Sequence, residues 1–252
     1  MTAIHHLNCV KIVSPFNDNV CGHCLLINEK GQLILIDTGI GLQDTINPNE
    51  RIGQYLIDLV GYKFDENLTA IRQLEKLGFD SKRVTDYIIS HLDNDHIGGL
   101  PDFPNATVHL GAEEFENFKS DNPRYLKTPL NHNPIIKTYQ NTDFNWFGFE
   151  ARKIQADIET EIYLIPLFGH TLGHCGVSLK VNDKWLFYIA DAYYMRIELN
   201  DKQHPVNELA KMSADNNELR LVTLNKIRRF IIITLKLKFT VITTLTNLTL
   251  IN

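Results

Sequence analysis

No apolar run in this 252-residue chain approaches the ~18 residues that a membrane span needs. No basic segment followed by an apolar core marks the N-terminus as a secretory leader. Cysteine is scarce. The four are Cys9, Cys21, Cys24 and Cys175, too few for a disulfide scaffold of this size. Basic charge is not in excess, since 25 Lys+Arg against 30 Asp+Glu give a net charge of -5. That balance argues against nucleic acid as the main partner. The expectation left by these absences is a soluble, cytoplasmic protein with neither membrane nor nucleic acid as its partner. What is present is ordinary globular composition, 44% hydrophobic and 22% charged, and enough chain to bury a core without staples.

Residues 6–13, 21–28 and 33–37 are rich in Val, Ile and Leu and are separated by turn residues, so three strands are expected. The third ends in Asp37-Thr38-Gly39. Leu68, Ile71, Leu74 and Leu77 form one apolar stripe, with Asp65 suited to cap the start of a helix and Gly78 to end it. Residues 84–90 then read as a buried strand, residues 106–110 as another and residues 112–119 as a short helix. Residues 121–145 are polar and broken by Pro123, Pro129 and Pro134, which predicts a long surface excursion. Strand character returns at residues 147–154, 161–167, 175–181 and 185–190. Strands arrive in runs with helices between the runs, which predicts an α/β fold of two packed sheets with helices outside. A single domain spanning residues 1–252 is the simplest organisation.

Residues 221–252 differ in composition. They contain no Asp, Glu, His, Gly or Pro, types that make up a quarter of the whole chain; about 8 would be expected by proportion. One reading is a helix to about Phe230 followed by two strands. The other is a tail whose reading frame has been altered, so that it was never selected to pack.

The strongest chemical signal is His91-Leu92-Asp93-Asn94-Asp95-His96-Ile97-Gly98-Gly99. Four potential metal ligands fall in six residues directly after a buried strand. A loop there can aim His91 and Asp93 to one side and Asp95 with His96 to a neighbouring point. Gly98 and Gly99 let the chain pass close to the site and start a helix. Imidazole with carboxylate suits Zn²⁺, and the carboxylate share also admits Mn²⁺ or Fe²⁺. His170, in LFGHTLGHC, follows another strand end, and Asp191 ends the apolar run LFYIAD. Three separate strands thus deliver His or Asp at their C-terminal ends, which places a site on rigid elements.

HLDNDHIGG, LFGHTLGH and YIADA together resemble the metallo-β-lactamase (MBL) superfamily, whose usual first motif is H-x-H-x-D-H. The closer resemblance is to a branch of MBL-fold hydrolases with the pattern HLDxDHxGGLxDFP, related to the N-acyl-homoserine lactonases. This chain has HLDNDHIGGLPDFP, and HHLNC, HCLLI, LIDTGIG, NWFGFE, PLFGHTLGHCGV and DAYY agree as well, so the likeness runs over about residues 1–225. It implies a four-layer αββα sandwich with a metal site at one edge of the sheets. His91, Asp93 and His170 would hold a first metal, Asp95 and His96 a second, and Asp191 would bridge them. Asp93 stands where the superfamily usually has His, and its charge is expected to weaken Lewis acidity and favour a harder ion. The superfamily's last histidine, near the C-terminus, has no counterpart: after Asp191 only His204 remains. The stretch where it should lie is the anomalous tail.

The resemblance implies a metal-dependent hydrolase acting on a small-molecule ester or lactone, with one or two Zn²⁺ ions lowering the pKa of a bound water. Asp95 would hold the hydroxide and shuttle a proton. Tyr194 would donate to the developing oxyanion, as a tyrosine at that spacing does in the lactonases, or line the rim. Asp37 resembles the family's carboxylate that orients the metal loop; a turn Asp capping its own backbone is the plainer reading. His174 is expected to brace its loop, His109 to sit in its strand, and Cys21-Gly22-His23-Cys24 to be structural, since no second C-x-x-C completes a tetrahedral site. Other readings are a degenerate, non-catalytic protein lacking the last ligand, a thioester hydrolase, and oxygen chemistry at a single iron.

Overall fold

The computed structural model describes residues 2–14, 17–234 and 239–242. They form two compact units, Met1–His109 with Phe118–Lys137, and Leu110–Asn117 with Thr138–Asn252. The fold is α/β, with two sheets and helices, as the strand runs predict. Among the described residues no helix is long and apolar enough to cross a membrane.

The first unit opens with β1 (Thr2–Ser14), β2 (Asn17–Glu29) and β3 (Gln32–Ile36), an antiparallel meander. Three short helices come next, α1 (Leu42–Ile46), α2 (Pro48–Arg51) and α3 (Gln54–Val60), and then β4 (Tyr62–Lys63), which pairs with β1. Sequence patterning did not anticipate these helices, because each spans too few residues to show a period. α3 packs Leu56, Ile57 and Val60 against Val10, Ile40, Ile52 and Tyr62. The predicted Leu68–Leu77 stripe resolves into a 3-10 turn, Glu66–Leu68, capped by Asp65, and α4 (Ala70–Lys76). Gly78 lies beyond it with a φ of 82°, the left-handed conformation that ends helices. β5 (Val84–Ile88) lies parallel to β3, with Ile36 beside Ile88. This pairing matters for function, because it places the chain just beyond β3 next to the chain just beyond β5. After α5 (Asn94–Ile97) come β6 (Thr107–Gly111), α6 (Ala112–Lys119) and β7 (Ile136–Tyr139). The seven-stranded order is β4-β1-β2-β3-β5-β6-β7.

The second sheet contains β8 (Phe144–Trp146), β9 (Phe149–Lys153), β10 (Ile162–Pro166), β11 (Cys175–Val181) and β12 (Lys184–Tyr188). The single strand expected over residues 147–154 is instead the second arm of a hairpin. Phe147 and Gly148 have φ of 49° and 90°, which makes them its turn. The polar stretch 121–145 is likewise not all excursion, since it contains β7 and leads into β8.

After β12 come α7 (Val206–Met212), α8 (Asn217–Thr234) and β13 (Phe239–Ile242), which runs parallel to β12 at the sheet's edge. The anomalous tail therefore begins inside α8. Leu224, Ile227 and Phe230 are buried with Trp146, Phe149, Tyr163, Ile165, Phe187 and Ile189. The helix expected to about Phe230 reaches Thr234. Of the two strands expected after it, one is β13, and residues 235–238 and 243–252 lie outside the described residues.

Cys9, Cys21, Cys24 and Cys175 are all buried free thiols, which agrees with the structural reading of Cys21-Gly22-His23-Cys24. Burial pushes the Asp102 carboxyl up to about 7, and the neighbouring Asp44 adds to the rise, although Asp102 accepts the Leu42 N–H at 2.9 Å.

This packing can be tested at two positions. Phe230 meets the rings of Trp146, Phe149 and Phe187. Phe230→Ala is expected to lower stability by about 3–5 kcal/mol in urea unfolding; a loss near zero would mean that α8 does not pack as described. Asp102 has a folded-state pKa above its unfolded one, so its protonated form stabilises the fold at low pH and that contribution is lost as pH rises toward and through 7. Asp102→Asn keeps the acceptor for Leu42. The variant should match the parent near pH 4 and exceed it by on the order of 1–3 kcal/mol at pH 8. Equal pH profiles for the two proteins would refute this.

Candidate metal centre

Within the first unit the site is built from the ends of β3 and β5. Asp37 comes directly after β3 with a φ of 55° and is fully buried. Its Oδ1 accepts the Ser90 N–H at 2.8 Å, and its Oδ2 accepts the Ser90 hydroxyl at 2.7 Å and lies 2.8 Å from His96 Nδ1. Burial alone would raise this carboxyl. The His96 ring, its hydrogen bond, His91 and the Ser90 N–H outweigh that and hold it below its usual range. An ionised Asp37 can only accept. Ser90 therefore donates to it, and the Ser90 oxygen is left to accept from His91 Nδ1, 2.9 Å away. His96 Nδ1 carries its proton toward the same carboxylate. Both rings thus hold a proton on Nδ1 and, in the neutral form, present the Nε2 lone pair that binds a metal.

His91 and His96 lie with ring centroids 4.0 Å apart. His91 Nε2 faces Asp93 Oδ2 at 3.2 Å. Donors each about 2.0–2.1 Å from a tetrahedral zinc stand roughly 3.3 Å apart, so this pair has the spacing of two ligands on one ion. A lone pair facing a carboxylate is repulsive without a cation, and the donor set therefore fits one. Asp95 lies in the first turn of α5, partly exposed.

α5 precedes Gly98 and Gly99, and Gly99 in turn stands directly before a 3-10 turn, Leu100–Asp102, so the pair ends one helix and leads into another helical turn. Their role is space. A Cβ on Gly98 would sit 2.2 Å from Asp44 Oδ2, and one on Gly99 would sit 2.8 Å from the Thr38 carbonyl oxygen.

Asp93 has a second partner that sequence reasoning missed. Arg124 donates from Nε to Oδ1 at 2.6 Å and from Nη2 to Oδ2 at 2.5 Å. The guanidinium offsets the charge expected to weaken Lewis acidity. No spacing rule marks Arg124, which comes from the polar stretch after α6.

In the second unit His170 lies in the loop between β10 and β11, and Asp191 lies just past β12. His170 Nε2 is 3.5 Å from Asp191 Oδ2, again close to the ligand–ligand spacing. His174 is committed elsewhere. Its Nδ1 lies 3.1 Å from the Leu167 carbonyl, which can only accept, and its Nε2 accepts the Asp191 N–H at 3.2 Å. It braces the backbone of Asp191, as the loop-bracing reading expects. The loop is further held by Glu114, whose Oε2 accepts from Thr171 Oγ1 at 2.5 Å and from the Gly173 N–H at 3.2 Å. Tyr194 Oη lies 2.7 Å from Ser213 Oγ and 3.5 Å from His170 Nδ1. His204 Nδ1 accepts the Val206 N–H at the start of α7. His109 Nε2 lies 2.7 Å from Asp86 Oδ1, inside the first sheet.

The sequence profile of the Metallo-beta-lactamase superfamily matches residues 21–203. A probable metallo-hydrolase, Rv2300c, of Mycobacterium tuberculosis (strain ATCC 25618 / H37Rv) is 33% identical over 204 residues, covering 79% of this chain and 65% of that protein. The chain thus spans just under two thirds of that relative's length. The N-acyl homoserine lactonase AttM of Rhizobium radiobacter is 27% identical over 187 residues, covering 71% of this chain and 68% of that protein. Among solved structures, an N-acyl homoserine lactone hydrolase with N-hexanoyl-L-homoserine at its catalytic metal center superposes with a TM-score of 0.70 at 17% identity, over 96% of this chain and 92% of that one. That likeness is one of fold.

If Arg124 is the charge partner of Asp93, Arg124→Met should lower the stability of the metal-free protein by about 1–3 kcal/mol. Arg124→Lys should recover only part of it, because an ammonium cannot fork onto both oxygens. Urea midpoints unchanged in both variants would remove Arg124 from the site.

Proposed function

The chain belongs to the metallo-beta-lactamase superfamily, and from that premise we propose that it is a metal-dependent hydrolase of small-molecule esters, with lactones as the preferred class. The observation that carries this reading is the pairing of histidine Nε2 with a carboxylate at ligand spacing in each unit, His91 with Asp93 and His170 with Asp191. Similarity to lactonases by sequence supports the lactone class.

In this reading His91, Asp93, Asp95, His96, His170 and Asp191 are the metal ligands. Imidazole with carboxylate suits Zn²⁺, with Mn²⁺ or Fe²⁺ as substitutes. When bound, a divalent ion supplies Lewis acidity, lowering the pKa of a water toward neutrality and polarising a carbonyl. The protein's own contribution is positioning and proton handling. Asp37 and Ser90 keep His91 and His96 presenting Nε2. Asp95 accepts the proton of the attacking water and returns it to the leaving alkoxide, which in a lactone stays attached as the new hydroxyl. His174 fixes the backbone from which Asp191 projects.

Incomplete loading of the second metal is the other reading that an observation favours. The one histidine after Asp191 is His204, and its Nδ1 caps α7.

Removing metal with a chelator should abolish hydrolysis of an N-acyl homoserine lactone, and added Zn²⁺ should restore it. His170→Ala should be inactive. His174→Ala should retain activity, reduced roughly 10–100-fold as for the loss of a group that only orients a ligand. Elemental analysis of the purified protein distinguishes the loading states: two ions per chain means that another residue completes the second site, and one means that it is incomplete. Turnover that survives chelation, or a chain that takes up no divalent ion, would defeat the proposal.

A further inference from the structure

Tyr194 is expected either to donate to an oxyanion or to line the rim, yet its surroundings tie it to His170. Its backbone N–H donates to Glu198 Oε1 at 2.7 Å, and the Met195 N–H donates to the same atom at 2.9 Å. Glu198 is fully buried and sits 3.5 Å from Arg220 Nη1. The phenol's other end meets Ser213, the residue that closes α7. The same short segment also holds the backbone of the His170 loop, since the Asp215 N–H donates to the His170 carbonyl at 2.9 Å and the Asn216 N–H to the Gly169 carbonyl at 3.0 Å. Asp215 Oδ2 accepts from Asn117 Nδ2 at 2.9 Å and from the Leu172 N–H at 3.3 Å.

The direction of the hydrogen bonds is set by what each partner can do. Ser213 Oγ lies 3.1 Å from the Leu209 carbonyl and 3.3 Å from the Ala210 carbonyl. Carbonyls only accept, so the serine proton goes to the helix. The 2.7 Å contact between the two hydroxyls then carries the phenol's proton, from Tyr194 to Ser213. That leaves the phenol oxygen to accept from His170 Nδ1 across the longer 3.5 Å contact. His170 then keeps its proton on Nδ1 and presents the Nε2 lone pair toward Asp191. The logic is that of Asp37-Ser90-His91 in the first unit, with a helix terminus in place of the carboxylate.

We propose that Tyr194 and Ser213 are positioning residues that fix the tautomer and orientation of His170, so that the phenol's proton is directed to Ser213 rather than to substrate. This rests on the reading of His170 as a metal ligand, but its first test does not need the metal. In metal-free protein, ¹⁵N spectra of the imidazoles, with His170 assigned by comparison with His170→Gln, report which ring nitrogen holds the proton. The wild type should show Nδ1–H. Ser213→Ala removes the acceptor of the phenol's proton and turns that proton toward His170 Nδ1, so His170 should switch to Nε2–H. Ser213→Thr keeps a hydroxyl and should restore Nδ1–H. Zinc affinity, read by competition with a chromophoric chelator, should fall roughly 10–100-fold in Ser213→Ala and Tyr194→Phe and recover in Ser213→Thr. Nε2–H in the wild type, or Ser213→Ala with an unchanged His170 spectrum, overturns the inference. A wild type that binds no zinc but shows the tautomer switch would sink the metal reading and leave the relay standing.

Discussion

The first half of the site depends on one buried carboxylate. Asp37 accepts from Ser90 twice and faces His96, and through the Ser90 hydroxyl it also fixes His91. A buried charge of this kind is tolerated only when its lone pairs are matched by donors. Those donors come from the strand end beside it because β3 and β5 run parallel, with Ile36 next to Ile88. The loop of residues 91–99 is secured to the same corner by the backbone, since the Thr38 N–H donates to the His96 carbonyl at 2.8 Å and the Gly99 N–H to the Gly39 carbonyl at 3.1 Å. A side chain at Gly98 or Gly99 would break this approach, which accounts for the two glycines that follow His96 and Ile97.

Of the two readings of Asp37 in the sequence, the contacts favour the one that orients the metal loop over a turn residue capping its own backbone. Much of this is legible in the sequence because the signals are local. A strand run leading into His, Asp or Gly says both that a strand ends there and that a donor stands at its end. His91, His170 and Asp191 are read in that way, and the structure sets each just past a strand. Burial of His174 and its two committed nitrogens agree with its expected bracing role. Arg124, Ser213 and Glu114 are not legible, because each reaches its partner from a distant segment with no periodic relation to it. Arg124 lies 31 positions from Asp93, and Glu114 lies 57 from Thr171. The hairpin turn at Phe147-Gly148 escapes for a different reason: an aromatic residue is a strand former, and only its positive φ reveals the turn.

The substitution of Asp for the superfamily's usual His at position 93 is an electrostatic question as much as one of ligand type. Taken alone, a second carboxylate would add negative charge, draw the site toward hard, oxygen-preferring ions and lower the acidity of a bound water. Arg124 changes the balance. A forked guanidinium withdraws electron density from both carboxylate oxygens and cancels the formal charge. The pair Asp93–Arg124 then carries the net charge of the neutral imidazole that it replaces, while keeping an oxygen donor 3.2 Å from His91 Nε2. The argument for an ion harder than zinc loses its electrostatic half and keeps only the preference of oxygen donors, which zinc shares.

The tail poses the opposite problem, of composition without an evident site. α8 places Leu224, Ile227 and Phe230 in the second unit's aromatic core, and that face alone accounts for a helix at this point in the chain. Its other side exposes Leu221, Val222 and Ile232 alongside Asn225, Lys226 and Arg229, so apolar residues interrupt a face that a solvated helix normally gives to polar and charged groups. Packing explains the buried face and leaves the exposed apolar residues unaccounted for. The altered-frame reading would allow such exposed apolar residues, since a segment not selected for solubility has no reason to exclude them from its outer face. In that reading a sequence replaced from about Leu221 would also lose the superfamily's final histidine, which has no counterpart in these residues, while keeping only lysines and arginines as charges. Tyr194, Ser213, Asp215 and Asn216, which hold His170, precede residue 221, while Thr223, inside that stretch, donates to the Phe168 carbonyl at 2.7 Å and ties the tail to the same loop.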